Sequence, residues 1–304
     1  MSGGKPLPRA LRDLVTIRGS AIQLSRVMPR HLVCLSFDFD LMTGFIAKGM
    51  TSPTPVSRGE FGLVAMPRIL KLLQARETPA TFFIPGVVID MFPRECEAIV
   101  ELGHEIGHHG YTHIPPTSLS AEAELESLLQ GSECIRRLAG KAPFGYRSPS
   151  WDLSTHTIGF LLENGFLYES SMMGNDYTPY FARRGDQIRL EGPCIWGEKT
   201  KLVEMPISWS LDDYPHFEFV RTPQTVMPGL MNAAGVLQNW IDDFVYMQRN
   251  AEWGVLTYTM HPFVIGRGHR MMMLERLIDQ LLEANAIFVT MEAAAREFLA
   301  EHTV

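Results

Sequence analysis

Four of the ten histidines in this 304-residue chain fall in one run, GHEIGHHGYTH, as His104, His108, His109 and His113. Two pairs, His104/His108 and His109/His113, are four residues apart, a spacing that brings side chains to one side of a helix-like turn. Upstream, LSFDFD carries Asp38 and Asp40. On a strand these two carboxylates point the same way, while Phe37 and Phe39 point the other. Neighbouring carboxylates repel and are tolerated where a cation or an arginine neutralises them. One carboxylate joined to two imidazoles makes a three-ligand set with an open position, the pattern of catalytic rather than structural zinc. His104 reads instead as a structural histidine with satisfied ring nitrogens, and His108 can face either way.

Two further residues sit where chemistry could use them. Arg147 in GYRSPSW lies beside a proline that stiffens its loop, and His261 follows the apolar run of LTYTMHP. Each feature also has an ordinary reading: an Asp pair capping a loop, a solvated histidine cluster, a surface arginine, a core histidine with a satisfied ring. A lone HxxxH is weak evidence. Four polar features, each at the end of an apolar run, point together to one site.

The runs that carry them alternate with helical patterns. HLVCLSFDF, TPATFFIPG, HEIGHH, PFGYRSP, KLVEMPISW, WGVLTYTMH and IFVTM read as strands from their short apolar, β-forming composition. Between them PRILKLLQAR, PRECEAIVELG, SLSAEAELESLLQGSECIRRLAG, TIGFLLENG, MMMLERLIDQLLEAN and EAAAREFLAEH carry helical periodicity. Pro67 is expected near the start of the first helix, Ser120 to cap the third and Gly140 to end it. This alternation predicts a parallel sheet, closed or open, with its chemistry at the C-terminal strand ends. The expected fold class is α/β, in a single domain over residues 31–304 preceded by an N-terminal arm of residues 1–30. The irregular stretch of residues 170–198 reads as a long active-site loop.

The net charge of −7, with no block of Lys and Arg, argues against a nucleic-acid partner. An apolar fraction of 46% against 20% charged residues is that of an ordinary globular protein. No apolar run reaches the roughly 7–15 residues of a signal-peptide core or the roughly 18 of a membrane span, so the expectation is a cytoplasmic protein with no membrane partner. Cys34, Cys96, Cys134 and Cys194 have no CxxC spacing and read as reduced packing residues.

Taken in order, SFDFD, ATFFIPG, GHEIGHHGYTH, RSPS and LTYTMH resemble the motifs of the polysaccharide deacetylase (NodB-like) family, from about residue 31 to about residue 297. The resemblance implies an irregular (β/α)7-type barrel. It implies that Asp40, His109 and His113 hold a divalent metal, Zn2+ foremost, and that Asp38 acts as general base. Arg147 would orient Asp38, with Arg58 of SRGEFG as a rival. The Ser150 amide would hold the oxyanion and His261 would protonate the leaving nitrogen. There are departures: Phe39 separates two aspartates that the family places side by side, and Gly110 replaces a Ser or Thr. The Asp that tethers the catalytic histidine is open between Asp176, Asp212 and Asp213. Together with these three, Arg58, Glu60 and Trp209 are placed among the substrate-facing loop residues.

The spaced DFD, with HGYTH, NDYTPY, LDDYP and MHP, resembles a cytoplasmic branch of the family that includes cyclic imide hydrolases and peptidoglycan-deacetylase-like proteins. Tyr177, Tyr180, Phe181, Trp209 and Tyr214 cluster in loop stretches that would suit walls closing over a compact ligand. The expected activity is hydrolysis of a small cyclic imide or ureide, with N-deacetylation of an amino sugar second. A non-catalytic metal- or ligand-binding barrel is the reading from another class. The expected partners are a small-molecule substrate and further copies of the chain, in a homo-oligomer (dimer or tetramer).

Overall fold

The computed structural model describes residues 29–221 and 226–303, so the expected N-terminal arm falls almost wholly outside the described residues. The strands are β1 (Arg30–Asp38), β2 (Thr81–Ile84), β3 (Glu105–His108), β4 (Gly145–Tyr146), β5 (Tyr168–Glu169) and β6 (Tyr180–Arg184). They are followed by β7 (Glu198–Glu204), β8 (Val220–Arg221), β9 (Val226–Met227), β10 (Trp253–Met260) and β11 (Ile287–Phe288). Neighbours in the order β10-β1-β2-β3-β4-β5-β7 run parallel, and β6 adds antiparallel to β7 at the far edge. Since β10 takes one edge of β1 along Arg30–Phe37, β11 and β2 share the other in tandem. β11 pairs with Leu32 and Val33, and β2 with Ser36 to Asp38. The sheet curls into a half-barrel whose open side is bridged by single contacts. Val255 N–H donates to the Tyr177 carbonyl (2.9 Å), and Asp212 forms an isolated parallel bridge with Thr259.

The parity of β1 explains why its carboxylates face inward. Every residue after Arg30 is buried, as in parallel strands covered on both faces. Val33, Leu35, Phe37 and Phe39 pack outward in the large core beneath the helices. Leu32 and Cys34 pack with Phe83, Tyr168, Val203 and Val255, a set drawn from strands across the sheet, as only the inside of a curled sheet allows. Alternation puts Ser36 and Asp38 on that inner face. The helix Met291–Glu301 fills the base of the interior with Met291, Ala294, Ala295 and Phe298, leaving the carboxylates at the open end.

Three features differ from expectation. The first long helix runs Pro53–Ala75, so Pro67 lies in its interior. It starts where Pro53 follows Ser52, a first-turn position at which a missing N–H costs nothing. At Gly59 of this helix a Cβ would stand 2.4 Å from the Met42 backbone, so the helix packs directly on the chain that leaves Asp40. A helix at Ala233–Asn250 was not anticipated, although Asn232 caps it by accepting from the Ala234 and Gly235 N–H groups and Val236, Trp240, Phe244 and Met247 are buried. Residues 170–198 are not an active-site loop: they supply the edge hairpin of β6 and β7, extended by the Gln187–Ile195 bridge. The Ser120 cap and the left-handed Gly140 stop are as expected.

Candidate active site

The site stands at the C-terminal ends of β1, β3, β4 and β10. Beyond β1 the chain turns at Asp40, whose carbonyl accepts from both the Thr43 N–H (3.0 Å) and the Thr43 hydroxyl (2.6 Å). The turn aims the carboxylate at the loop after β3. There Oδ1 lies 3.3 Å from His109 Nε2, and Oδ2 lies 3.1 Å from His113 Nε2. The connecting turn needs Gly110 at φ +69°, with Pro149 packed against it. Glycine adopts this left-handed backbone without penalty, which accounts for its standing where a Ser or Thr was expected.

His109 Nδ1 lies 2.8 Å from the Arg147 carbonyl, which can only accept. Nδ1 therefore carries the proton, and the Nε2 lone pair faces Asp40. With no cation between them, burial alone would raise the Asp40 pKa, but the positive charge that the His113 and His109 rings carry when protonated holds it well below the usual carboxylate value. Asp40 Oδ1 is nevertheless a buried oxygen without a hydrogen bond. One ligand atom from each of the three residues falls within 4.8 Å of the others. An orphaned carboxylate oxygen with the Nε2 atoms of two imidazoles close around it fits a divalent cation.

Asp38 stands beside this cluster and is held by Arg147, with Nη1 2.7 Å from Oδ1. Both side chains are buried. The guanidinium is saturated below by Ser36 Oγ (3.0 Å), the Ser170 carbonyl (3.1 Å) and Ser170 Oγ (3.2 Å), and it lies 4.2 Å from the centre of the Phe83 ring. Arg58, the rival for this role, pairs instead with Glu218 and the Phe219 carbonyl.

His261 closes the site from β10. Its Nε2 lies 3.7 Å from Asp40 Oδ2 and 4.0 Å from Asp38 Oδ2. Nδ1 lies 2.9 Å from Asp213 Oδ1, and the Asp213 carboxylate also accepts the His261 backbone N–H at 3.0 Å. Asp212 is farther, at 3.5 Å from Nδ1, and instead caps the helix Asp213–Phe217 through the Tyr214 N–H. Asp213 is thus the tether, while Asp176 lies exposed in a turn whose N–H groups Asn175 accepts. Burial opposes a charged His261, but Asp212, Asp213 and Asp40 together raise its pKa to about 10. Burial and Asp213 push Asp212 up to about 8, against the pull of His261.

A cavity of about 390 Å³ opens above these groups. Ser150 and Trp151 line it, both in left-handed backbone at φ +58° and +55°. Trp209 stacks on Trp151 with ring centres 4.0 Å apart, and Phe45, Tyr214 and Phe263 complete the apolar wall. Of the aromatics expected there, Trp209 and Tyr214 line the cavity. Tyr177, Tyr180 and Phe181 do not: Phe181 packs on Phe298, and the Tyr180 hydroxyl accepts from Gly174 N–H. Arg58 and Glu60 are carried on the helix Pro53–Ala75 outside the lining. Trp151, Phe45, Phe263 and Lys48 were missed; Trp151 was within reach, four residues after Arg147 in the same motif.

The other two histidines are structural. His108 is buried with Nε2 2.9 Å from the Leu128 carbonyl, while Nδ1 accepts the Gly110 N–H. Burial pushes its pKa down to about 3. His104 was expected to have satisfied nitrogens. Instead it is half-buried against Phe82, just before β3, and neither ring nitrogen has a partner.

A family model described as polysaccharide deacetylase matches residues 62–168. A peptidoglycan deacetylase of Helicobacter pylori is 38% identical over 282 residues, 88% of this chain and 96% of that protein. A crystal structure described as a "putative polysaccharide deacetylase" from Mycobacterium smegmatis superposes with a TM-score of 0.77 at 29% identity, over 90% of this chain and 91% of that one. The allantoinase Puue shares the fold, with a TM-score of 0.73 at 20% identity over 90% and 92% of the two chains.

Proposed function

Because this chain belongs to the polysaccharide deacetylase family, we propose that it is a metal-dependent hydrolase that removes the acyl group from an N-acylated amino sugar. The observation that carries this reading is the placing of Asp38, the Asp40–His109–His113 cluster and His261 on one cavity, with His261 Nε2 within 4.0 Å of both aspartates. The H. pylori relative bears the name of such a deacetylase.

Asp40, His109 and His113 are the residues that would hold the cation, and one carboxylate with two imidazoles suits Zn2+. A cation so held supplies a Lewis acid that polarises the amide carbonyl and acidifies the attacking water. Asp38 accepts the proton of the attacking water, and Arg147, paired with its carboxylate, keeps it aimed into the cavity. The Ser150 N–H, on the strained turn at the wall, is the donor assigned to the developing oxyanion. His261 donates from Nε2 to the departing nitrogen, which leaves badly as an anion. Asp213 holds the other ring proton on Nδ1 and so keeps the donating nitrogen turned to the cavity.

A second reading, opening of a cyclic imide or ureide, is favoured by the compactness of the apolar cavity. It loses part of its support, since three of the five aromatics that suggested a closing lid lie elsewhere. Among the described residues no helix is long and apolar enough to cross a membrane; a cytoplasmic location and a homo-oligomeric state belong to the proposal. The test is a panel of acetamido sugars, chitin oligomers, succinimide and hydantoin with metal-loaded protein. Acetate release from the sugars is expected. Ring opening without acetate release would establish the second reading instead, and turnover of nothing on the panel would overturn both.

A further inference from the structure

The cavity holds one positive side chain that the chemistry above leaves unused. Lys48 is the single lysine or arginine among the described residues that line it. The Arg147 guanidinium beneath the floor is already consumed by Asp38, Ser36 and the Ser170 carbonyl. Lys48 ends the short helix Thr43–Ala47, the helix anchored to the Asp40 carbonyl through Thr43. One segment therefore carries both a metal-ligating carboxylate and a cation to the same cavity.

The Lys48 ammonium lies 5.3 Å from the centre of the Tyr214 ring, and that ring lies 5.2 Å from His261. The carboxylate whose field reaches it, Asp40, is engaged by His113 and His109. The other cavity carboxylates would not repel an incoming anion strongly: Arg147 neutralises Asp38, and His261 faces Asp212 and Asp213. Lys48 is exposed at the cavity mouth, so its ammonium is free to meet a charged group on an entering ligand, whereas a wholly neutral ligand offers it no counter-charge.

We propose that Lys48 reads an anionic group, a carboxylate or a phosphate, carried on the ligand beside the scissile N-acyl group, so that the substrate is an acidic rather than a neutral amide. The inference rests on the proposed hydrolysis at this same site. A lysine at a cavity mouth acts as a point charge, so it selects for charge and not for the geometry of the anion. Were Lys48 only a cation–π partner of Tyr214, its loss would affect acidic and neutral ligands alike.

Matched pairs that differ by one added anionic group separate these roles. N-acetylmuramic acid and N-acetylglucosamine 6-phosphate are compared with N-acetylglucosamine, and dihydroorotate with dihydrouracil, in the metal-loaded full chain. The expected result is a kcat/KM ratio favouring the acidic member by on the order of fivefold at low salt, falling as salt is added. Lys48→Met collapses the ratio towards one through the KM of the acidic member, Lys48→Arg retains it, and Lys48→Glu reverses it. The muramic acid and phosphate arms report which anion is preferred. Binding by calorimetry to the metal-loaded Asp38→Asn variant runs alongside. A charge preference in Kd, with no turnover of any member by the wild-type protein, contradicts the proposed hydrolysis and leaves the role of Lys48 standing. Equal kcat/KM or Kd within each pair, a ratio unmoved by Lys48→Met, or no binding by any member overturns the inference.

Discussion

Replacing Asp213 with Asn tests whether His261 is a tethered acid. The carboxylate accepts the Nδ1 proton at 2.9 Å and the His261 backbone N–H at 3.0 Å. The amide oxygen of Asn can keep the backbone contact but no longer offers a charge to the imidazolium. A hydrogen bond to a charged group contributes about 1.5–3 kcal/mol. At about 1.36 kcal/mol per pKa unit, the His261 pKa should fall by about 1–2 units from its raised value. The donating form is the protonated one, so activity is present below the His261 pKa and lost as pH rises through it. The raised folded value of about 10 places that loss on the alkaline side, and a bound cation moves it to lower pH in both proteins. The kcat–pH profile of Asp213→Asn should therefore show its alkaline limb about 1–2 units more acid than wild type, with kcat recovering at lower pH. Substrates with activated leaving groups, which need no proton, should be much less affected. An alkaline limb that does not move, or an equal loss at every pH and for every leaving group, would refute the tethered-acid assignment.

Two further predictions concern buried charge. Arg147→Met should destabilise the chain by about 3–5 kcal/mol in denaturant unfolding, because it strands the buried Asp38 carboxylate; Arg147→Met/Asp38→Asn should recover much of that stability without recovering turnover. Burial raises the pKa of Glu204 well above 4.5, with Glu169 adding to it, and both sit buried at paired positions of β5 and β7. A carboxyl raised in the folded state binds its proton more tightly there, so its contribution to stability is present at low pH and lost as pH rises from about 4.5 through the folded value. Glu204→Gln should flatten that decline in thermal unfolding, and an unchanged slope would remove the pair as its source.

Strand ends were the most legible part of this sequence. Asp38, Asp40, His109, Arg147 and His261 each stand at or just beyond the end of an apolar run, and alternation along β1 alone was enough to put Asp38 on the inner face, while the turn after β1 aims Asp40. Loop positions were far less legible. Whether Asp176 or Asp213 tethers His261 depends on how the chain between β7 and β10 folds back over the sheet, and nothing local to either residue encodes that. The residues between 170 and 198 looked like a loop because Gly, Asp and Asn mark turns, yet their strand pairing is with β7, a partner that composition does not name. Pro67 misled for a related reason: tertiary packing of Gly59 on Met42 carries the helix back to Pro53, against the local propensity of two prolines and two glycines.

The central claim is that Asp40, in the turn after β1, holds a cation while Asp38, at the end of that strand, moves a proton. Metal content and hydrolysis of N-acetylglucosamine or its acidic relatives, measured together on Asp40→Asn and Asp38→Asn after chelation and reloading with Zn2+, test it most directly. Asp40→Asn should lose most of the metal and with it the activity. Asp38→Asn should reload to one equivalent and remain inactive. Equal metal loss in the two variants, or turnover by wild-type protein stripped of metal, would contradict the account.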